Sequence, residues 1–372
     1  MSADSSLNHD SGRFTPLRIS SLDGLRGVAA LTVVAHHTLE CLGDFAQEHL
    51  KTAFLTLGQQ CVWLFFVISG VVLSRSALRP DFTAGTFLIS RVVRLYLPTA
   101  AAATLTYISM LVVSRRSLTG NTWIDSHPKA ISLSAIASDF SLVDSTSGNL
   151  MPLWSLKWEM LYSAFLLVFL VIAKSAKWQF LLLAGVWIGS SGLGALPFYA
   201  SMFLIGTVIG VKFDSFEGFL RSRTFFGSFV TLAGLAFIGA GNFLQGWTHL
   251  QVSGNFAILL SLVGITGLVI SAETSILGPF LRSRTVQFLG LISFSLYLVH
   301  EPILIAAARL GRQNPWITIA ASIVSVGFAY LFYKIIEKRA HVLSRSLRTK
   351  APNSHQELTQ GRLKRDGSYE GQ

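Results

Sequence analysis

The first long apolar stretch of the sequence contains four ionisable side chains. Arg26 is followed by His36, His37 and Glu40, and all four lie among apolar residues. Ionisable groups inside a membrane span are energetically expensive, so each one is a candidate for function. On a helix the Glu40 carboxylate can contact either histidine, where it would fix the imidazole tautomer and raise its basicity. Imidazole titrates near neutral pH, and proton transfer is therefore the chemistry predicted here, with a structural histidine as the alternative.

Arg26 and His37 share one face of the helix that this stretch predicts. Eleven steps of about 100° return to nearly the same direction, and they separate the two residues by roughly 16 Å along the axis. Two adjacent histidines, an acid one turn further on and an arginine on the same face together favour a functional site over an isolated structural histidine.

Two arginines and a glutamate are the next candidates. Arg91 and Arg94 stand at positions i and i+3 and share a helix face. Their forked guanidinium groups suit phosphate, although ordinary anchors on the basic side of a membrane are the alternative. Glu159 lies at a predicted membrane boundary, where an interfacial aromatic belt explains the neighbouring tryptophans but not the acid. Ser69 and Gly70 lie in an apolar run, where such a pair more often serves close packing.

Two late acidic residues also stand near the ends of apolar segments. The run His300-Glu301-Pro302 falls near the end of a predicted span, where its charge is costly and its proline is expected to kink the helix. Glu337 closes the following span among basic residues, where a surface salt bridge is the plain alternative.

The composition indicates that membrane helices position these side chains. Of 372 residues, 51% are hydrophobic and 13% are charged, whereas a soluble domain carries about 25% charge. The net charge of +11 lies in short clusters between apolar runs. A nucleic-acid-binding face would instead combine its basic residues with aromatic ones, so we expect no nucleic-acid partner. Cys41 and Cys61 show no metal-ligand spacing, and no metal is expected.

The apolar runs predict an all-α, polytopic membrane bundle of about ten transmembrane helices. The predicted spans are 25–43, 53–74, 95–113, 159–173, 179–196, 198–212, 224–245, 253–271, 286–308 and 315–336. Pro197 is expected to separate the fifth from the sixth. We expect a polar N-terminal segment over 1–20, a membrane domain over 21–340 and a basic, disordered tail over 341–372. The polar segment 114–158 is predicted to be an outward-facing lid or binding loop.

The basic residues predict the orientation in the membrane. If the N-terminus is cytoplasmic, 23 of the 30 lysines and arginines lie on the cytoplasmic side. That bias agrees with the positive-inside rule for an even number of helices. Both termini are therefore expected in the cytoplasm, and the protein in the inner or plasma membrane.

Five motifs, which occur in family order over residues 20–340, resemble those of the type-3 membrane acyltransferases. They are Arg26 and His37 with ten residues between them, Phe65-Phe-Val-Ile-Ser69-Gly70, Arg91-Val-Val-Arg94-Leu-Tyr-Leu-Pro98, Trp154-Ser-Leu-Lys-Trp158-Glu159, and Ser293-Phe-Ser295-Leu-Tyr297-Leu-Val-His300-Glu-Pro302. The chain departs from the family at Lys157 and Trp158, which suggests an unusual acceptor side. Some members carry a further hydrolase-like domain, and this chain is expected to act without one.

The resemblance implies transfer of an acyl group, commonly acetyl, from acyl-coenzyme A at the cytoplasmic side. The acceptor it implies is a hydroxyl of a carbohydrate, such as exopolysaccharide, O-antigen, or a lipid-linked or small glycosylated molecule. The motifs and their layout predict catalytic roles for His37, Arg26 and Glu159, donor binding by Arg91, Arg94 and Ser69, and acceptor binding by Trp154, Ser155, Tyr297 and His300.

The predicted topology sorts these residues by depth. Arg26, Arg91, Arg94 and Glu337 are expected toward the inner face, and His37, Glu159 and His300 deeper or toward the outer face. Coenzyme A phosphates would contact the inner arginines, and the pantetheine arm would extend to His37. His37 is predicted to act as general base, with a transient acyl carrier as the alternative, because no serine or cysteine nucleophile with a partner base is evident.

Two other functions fit charged residues in membrane spans. A transporter or flippase of a glycan or lipid is the first, but transporters usually contain internal repeats and this sequence shows none. A non-catalytic membrane scaffold is the second, and it would tolerate replacement of Arg26 and His37.

Overall fold

The computed structural model describes residues 19–46, 48–142, 147–247 and 254–349, and within these ranges all regular structure is helical. The helices are α1 (Ser20–Leu42), α2 (Glu48–Ala77), α3 (Ala84–Val112), α4 (Thr122–Ser126), α5 (Leu133–Ser141), α6 (Leu153–Ala164), α7 (Leu166–Ser175), α8 (Trp178–Ser190), α9 (Ala195–Val211), α10 (Phe213–Arg221), α11 (Thr224–Trp247), α12 (Gly254–Ser271), α13 (Gly278–Leu281), α14 (Arg284–Leu310), α15 (Pro315–Phe332) and α16 (Lys338–Thr349). A 3-10 turn, Gly43–Phe45, follows α1, and a π-helical turn, Tyr333–Glu337, joins α15 to α16. The predicted all-α bundle is confirmed.

The described residues contain six helices that are long and apolar enough to cross a bilayer. They fall at Thr56–Ala77, Ala84–Val112, Phe225–Leu244, Gly254–Ser271, Arg284–Leu310 and Pro315–Leu347. The number rises to eight if the bent pairs α6 with α7 and α9 with α10, which turn by 62° and 64°, each form one span. The protein is a multi-pass membrane protein.

Two of the ten predicted spans, α1 and α8, are helices in the structure but are not both long and apolar enough to count as candidate membrane spans. α1 carries Asp23, Arg26 and Glu40 besides its two histidines, which lowers its hydropathy. α8 has only 13 residues, which is short of the roughly 20 that cross a bilayer. By length and composition the structure therefore supports six to eight spans rather than ten.

The chain breaks before Pro197 rather than at it. α8 ends at Ser190 and α9 begins at Ala195, and Gly192 and Gly194 between them have φ of +73° and +102°. Glycine adopts positive φ without the strain that a Cβ would cause. Pro197 lies in the first turn of α9, where a missing backbone N–H costs no helical hydrogen bond.

Helices α1 and α14 lie side by side, parallel and in register. A Cβ on Gly27 would come within 2.5 Å of the Gly290 nitrogen, so the two backbones touch at this point. Ten residues further along each helix, the rings of His37 and His300 stack with centroids 5.3 Å apart. Small residues permit such close approach between membrane helices. The pairing fixes the depth of the two histidines relative to one another.

Helices α2 and α9 form a second close contact. A Cβ on Gly206 would overlap the carbonyl oxygen of Val67, and one on Gly70 would lie 2.5 Å from the carbonyl oxygen of Phe203. Gly70 therefore serves close packing, the plainer of the two readings of the Ser69-Gly70 pair, while Ser69 faces a cavity described below.

The two predicted loops contain more helix than expected. The outer segment includes α4 and α5, which are capped by Asn121 and Ser132, whose side-chain oxygens accept from backbone N–H groups 3.0 and 3.1 Å away. The predicted disordered tail is helical as far as Thr349, because α16 packs against α3 and buries Ala340 and Ser344. The rest of the tail, and residues 1–18 of the predicted N-terminal segment, lie outside the described residues.

Candidate active site

A cavity between α1, α2, α3, α6 and α14 collects seven of the ten predicted site residues. Its empty volume is about 710 Å³ with the open side included. The predicted residues on its wall are Arg26, Ser69, Arg91, Arg94, Ser155, Glu159 and Tyr297. The rest of the wall is mainly apolar, and among the described residues no group of three histidine, cysteine or acidic side chains has the geometry of a metal site.

Arg91 and Glu159 form an ion pair in this wall. Nη2 of Arg91 donates to Oε1 of Glu159, and their side chains are 8% and 23% exposed. Ser69 Oγ donates to the same carboxylate oxygen at 2.8 Å and accepts from Arg91 Nη2 at 3.3 Å. Arg91 Nε donates to Ser163 Oγ at 3.2 Å. The charge of Arg91 is therefore compensated by an acid and two hydroxyls.

The position of Glu159 differs from the sequence prediction. Glu159 was expected deeper in the membrane or toward the outer face, but it lies on the cavity wall with Arg91 and Arg94. The reason is that α6 has only 12 residues, packs against α2 and α3, and turns by 62° into α7. This short helix brings the acid to the level of the arginines.

Arg26 and Arg94 line the same cavity without a direct partner of this kind. No hydrogen bond or ion pair joins either guanidinium to another residue that the structure describes. Each guanidinium carries five N–H donors and a permanent charge, so the pair can bind a multiply charged anion.

Glu337 lies nearby in the π-helical turn, within electrostatic range of Arg94 and Arg26. It is 3% exposed, and its Oε2 accepts from Ser295 Oγ at 2.5 Å. The alternative of a surface salt bridge is therefore wrong for Glu337, because the side chain is buried and bonded to α14. π-helical turns in membrane and soluble helices often occur at functional sites.

His37 and His300 lie outside the cavity, in a cluster of aromatic rings. The His37 ring is 5.3 Å from His300, 5.2 Å from Trp123 and 4.6 Å from His36. His300 Nδ1 lies 2.9 Å from the Leu296 carbonyl oxygen, which can only accept, so this nitrogen carries the proton. His300 Nε2 is then an acceptor. It is buried without a partner among the described residues, as is His37 Nδ1.

Tyr297 connects the cavity to the histidine cluster. Its ring lies 6.2 Å from that of His300, and its hydroxyl is 2.9 Å from Ser155 Oγ. Both Tyr297 and Ser155 are on the cavity wall. Trp154 is not on the wall, because its ring packs against Tyr199 at 5.5 Å within the apolar core. Predicted acceptor residues therefore fall into three environments rather than one.

Sequence reasoning missed the residues that join the outer segment to α14. His127 Nε2 lies 2.8 Å from Glu301 Oε1, and the Met151 N–H donates to Glu301 Oε2 at 2.7 Å. Glu301 is fully buried and His127 is 4% exposed. A buried acid in a membrane bundle requires a partner. A histidine in the facing outer segment was the one available signal, but it lies 174 residues away in the chain.

Charged groups also anchor α4 in the outer segment. Asp125 accepts from the backbone N–H groups of Thr119 and Gly120 at 2.9 and 3.0 Å, and lies 3.5 Å from Arg309. Burial raises the pKa of the Asp125 carboxyl, but these hydrogen bonds and the charge of Arg309 outweigh it, so the pKa lies below its usual value. Burial lowers the pKa of the Arg115 guanidinium, and the negative charge of Glu301 acts in the opposite direction without cancelling that effect.

The described part of the chain is a multi-pass helical bundle with an arginine-lined cavity and a neighbouring histidine pair. Residues 19–334 match the family model Acyl_transf_3, an acyltransferase domain, and the chain belongs to this family of membrane acyltransferases. The acyltransferase MdmB of Streptomyces mycarofaciens is similar to it, with 25% identity over 349 residues that cover 83% of this chain and 86% of that protein. No solved structure matches the chain. The family resemblance seen in the sequence is confirmed. The prediction that the protein is an enzyme, and not a transporter or a scaffold, is confirmed with it.

Proposed function

We propose that the protein is an O-acyltransferase that moves an acyl group, acetyl in the first instance, from acyl-coenzyme A to a carbohydrate hydroxyl. One observation carries this proposal. Arg26 on α1 and Arg94 on α3 line one cavity, and neither guanidinium has a hydrogen-bonding partner among the described residues; His37 follows Arg26 on α1 eleven residues further on. Along an α-helix, eleven residues separate Arg26 from His37 by about 16 Å.

This layout suits a donor with an anionic head and a long neutral arm. Coenzyme A carries its phosphates at one end and its thioester at the other, with the extended pantetheine between them. Arg26 and Arg94 would bind the phosphates. Arg91, already paired with Glu159 and bonded to Ser69 and Ser163, would maintain the shape of the wall. Tyr297 and Ser155 lie where the cavity meets the histidine cluster, and would flank the arm near its reactive end.

His37 is proposed as the general base. Its imidazole takes the proton of the acceptor hydroxyl as that oxygen attacks the thioester carbonyl carbon. The carbon–sulfur bond then breaks, and the imidazolium returns the proton to the departing thiolate. The products are an acyl ester and coenzyme A with a free thiol. A positioned base typically accelerates such a step by about 10²–10⁴-fold.

The proposed orientation follows the positive-inside rule. With the donor on the cytoplasmic side, the arginine end of α1 faces inward and His37 lies toward the opposite side. Six spans and eight spans are both even numbers of crossings, and either agrees with two cytoplasmic termini. The acceptor would then approach from the outer segment that contains α4 and α5.

The test is acyl transfer by the purified protein in detergent. Radiolabelled acetyl-coenzyme A is supplied with a panel of methyl glycosides, and ester products are identified by mass spectrometry. We expect an O-acetylated glycoside with the wild type and almost none with His37→Ala, with equal gel-filtration profiles. Either the absence of ester from every glycoside or an unchanged rate with His37→Ala would refute the proposal. Labelled protein isolated without an acceptor would indicate an acyl-histidine instead of a base.

A further inference from the structure

The short helix α4 packs against α1 and α14, next to the histidine pair His37 and His300. Asn121, its N-cap, donates from Nδ2 to the carbonyl oxygens of Glu40 and Cys41 at 2.9 and 3.2 Å. These carbonyls belong to the last turn of α1, one turn beyond His37. A helix of five residues would not keep one position alone, so these contacts define where it sits.

Contacts from α14 fix the other side of α4. Glu301 bonds to His127, the C-cap of α4, and Arg309 donates from Nη1 to the Ser117 carbonyl at 2.9 Å. Ile124 is fully buried in an apolar cluster with residues of α1, α14 and α15. The helix is therefore held on its polar and its apolar sides.

These hydrogen bonds and apolar contacts place Trp123 beside His37. The two rings have centroids 5.2 Å apart and are inclined by 32°. The His127 ring meets the Trp123 indole edge-on with centroids 4.6 Å apart, and His127 Nδ1 donates to the Trp123 carbonyl oxygen at 2.9 Å. Trp123 and His37 are both half-buried, so neither side chain is completely covered by the rest of the described protein. The Trp123 indole N–H donates to no other residue in the part of the chain that the structure describes.

We propose that Trp123 forms the acceptor subsite, where its indole packs against the C–H face of a sugar ring whose hydroxyl points at His37. Glu301 is the positioning residue that holds the indole there through His127. This inference rests on the proposed function, with His37 as the base. A large, rigid aromatic with one polar N–H suits a ligand that has an apolar ring face and a polar rim. Its neutrality suits a sugar ring better than an anionic ligand.

The experiment measures steady-state kinetics of purified variants with acetyl-coenzyme A. The acceptor probes are the methyl glycosides described above and 1-hexanol, which offers a hydroxyl without a sugar ring. Trp123→Ala should raise the glycoside KM by at least about tenfold, the equivalent of roughly 1.4 kcal/mol, and leave the donor KM unchanged. Trp123→Phe should give an intermediate value. Trp316→Ala is the matched control, since that tryptophan is 76% exposed at the start of α15.

A second set of variants tests the positioning role. Glu301→Ala should raise the glycoside KM as Trp123→Ala does. Glu301→Gln should restore it, because a glutamine can accept from the Met151 N–H and donate to His127 Nε2. The double variant Trp123→Ala with Glu301→Ala should be no worse than the poorer single variant, because one residue acts through the other. Binding of coenzyme A to each variant reports that the bundle is folded.

The outcomes separate the two proposals. If the wild type acylates no glycoside, the proposed function fails. If glycosides are acylated but Trp123→Ala leaves their KM unchanged, or raises the donor KM equally, the acceptor subsite fails while the function stands. If 1-hexanol is the better substrate and depends on Trp123, the subsite takes an apolar acceptor, and the sugar assignment is overturned.

Discussion

Replacing Arg94 with glutamine should weaken coenzyme A binding much more than the same change at Arg91. Among the described residues Arg94 has no hydrogen bond or ion pair with an acid, and Glu337 acts on it only at longer range, so its N–H donors are available to a phosphate. A hydrogen bond to a charged group contributes about 1.5–3 kcal/mol, which corresponds to a rise in Kd of about 10- to 150-fold. Arg91 is already bonded to Glu159, Ser69 and Ser163. Arg91→Gln should therefore change the Kd by less than about threefold and act mainly on stability.

Calorimetric titration of the purified protein with coenzyme A measures both effects. A parallel titration with pantetheine, which lacks the phosphates, should show no difference between the wild type and Arg94→Gln. Arg221→Gln is the control, because this arginine is paired with Glu217 and its side chain is 64% exposed. Added salt should weaken binding to the wild type more than to Arg94→Gln, since the lost contact is electrostatic.

One result would refute this reasoning. If Arg91→Gln raised the Kd strongly while Arg94→Gln left it within twofold, the phosphates would bind at Arg91, and the ion pair with Glu159 would have to open for the donor. The reasoning would also be refuted if pantetheine binding fell as far as coenzyme A binding in Arg94→Gln. In that case the substitution would act on the shape of the cavity and not on a phosphate.

Three further substitutions test the remaining parts of the structure. His37→Ala should lower kcat by about 10²–10⁴-fold with an unchanged Kd for coenzyme A; a weaker Kd with normal kcat would contradict the role as base. Glu159→Ala leaves the buried Arg91 without its acid and should destabilise the protein by about 3 kcal/mol. This is the low end for a buried ion pair, because the Glu159 side chain is 23% exposed. An unchanged melting temperature in detergent would argue that the ion pair does not stabilise the fold. Gly206→Ala should cost about 1–3 kcal/mol, because its Cβ would overlap the Val67 carbonyl. The control Gly239→Ala has open space around it, and equal melting of the two would contradict the packing argument.

The helical class and one face of α1 could be predicted because both follow from local periodicity. Apolar runs define membrane helices in any context, and the spacing of Arg26 and His37 is fixed by the helical rise. The number of spans was predicted less well, since α1 and α8 form helices whose charge or length falls outside the rule. Hydropathy does not distinguish a helix that crosses the bilayer from one that the bundle shields.

Depth across the bundle could not be predicted, because it depends on contacts between segments distant in sequence. Glu159 follows a polar segment and looks interfacial, but the short α6 turns it toward Arg91. The buried acid Glu301 was recognised as costly, yet its partners, His127 and the Met151 N–H, come from a segment that was predicted as a loop. Long-range partners of a buried charge leave no periodic signal in a single sequence.

The parallel register of α1 and α14 brings together two motifs that are far apart in this sequence. The contact of Gly27 with Gly290 fixes the two helices at their start, and ten residues of rise then bring His37 and His300 together. Arg26 lies beside the first contact and His37 at the second, so the backbone itself sets the distance between the proposed anion-binding residue and the proposed base. A donor of matching length then needs no moving part to connect them.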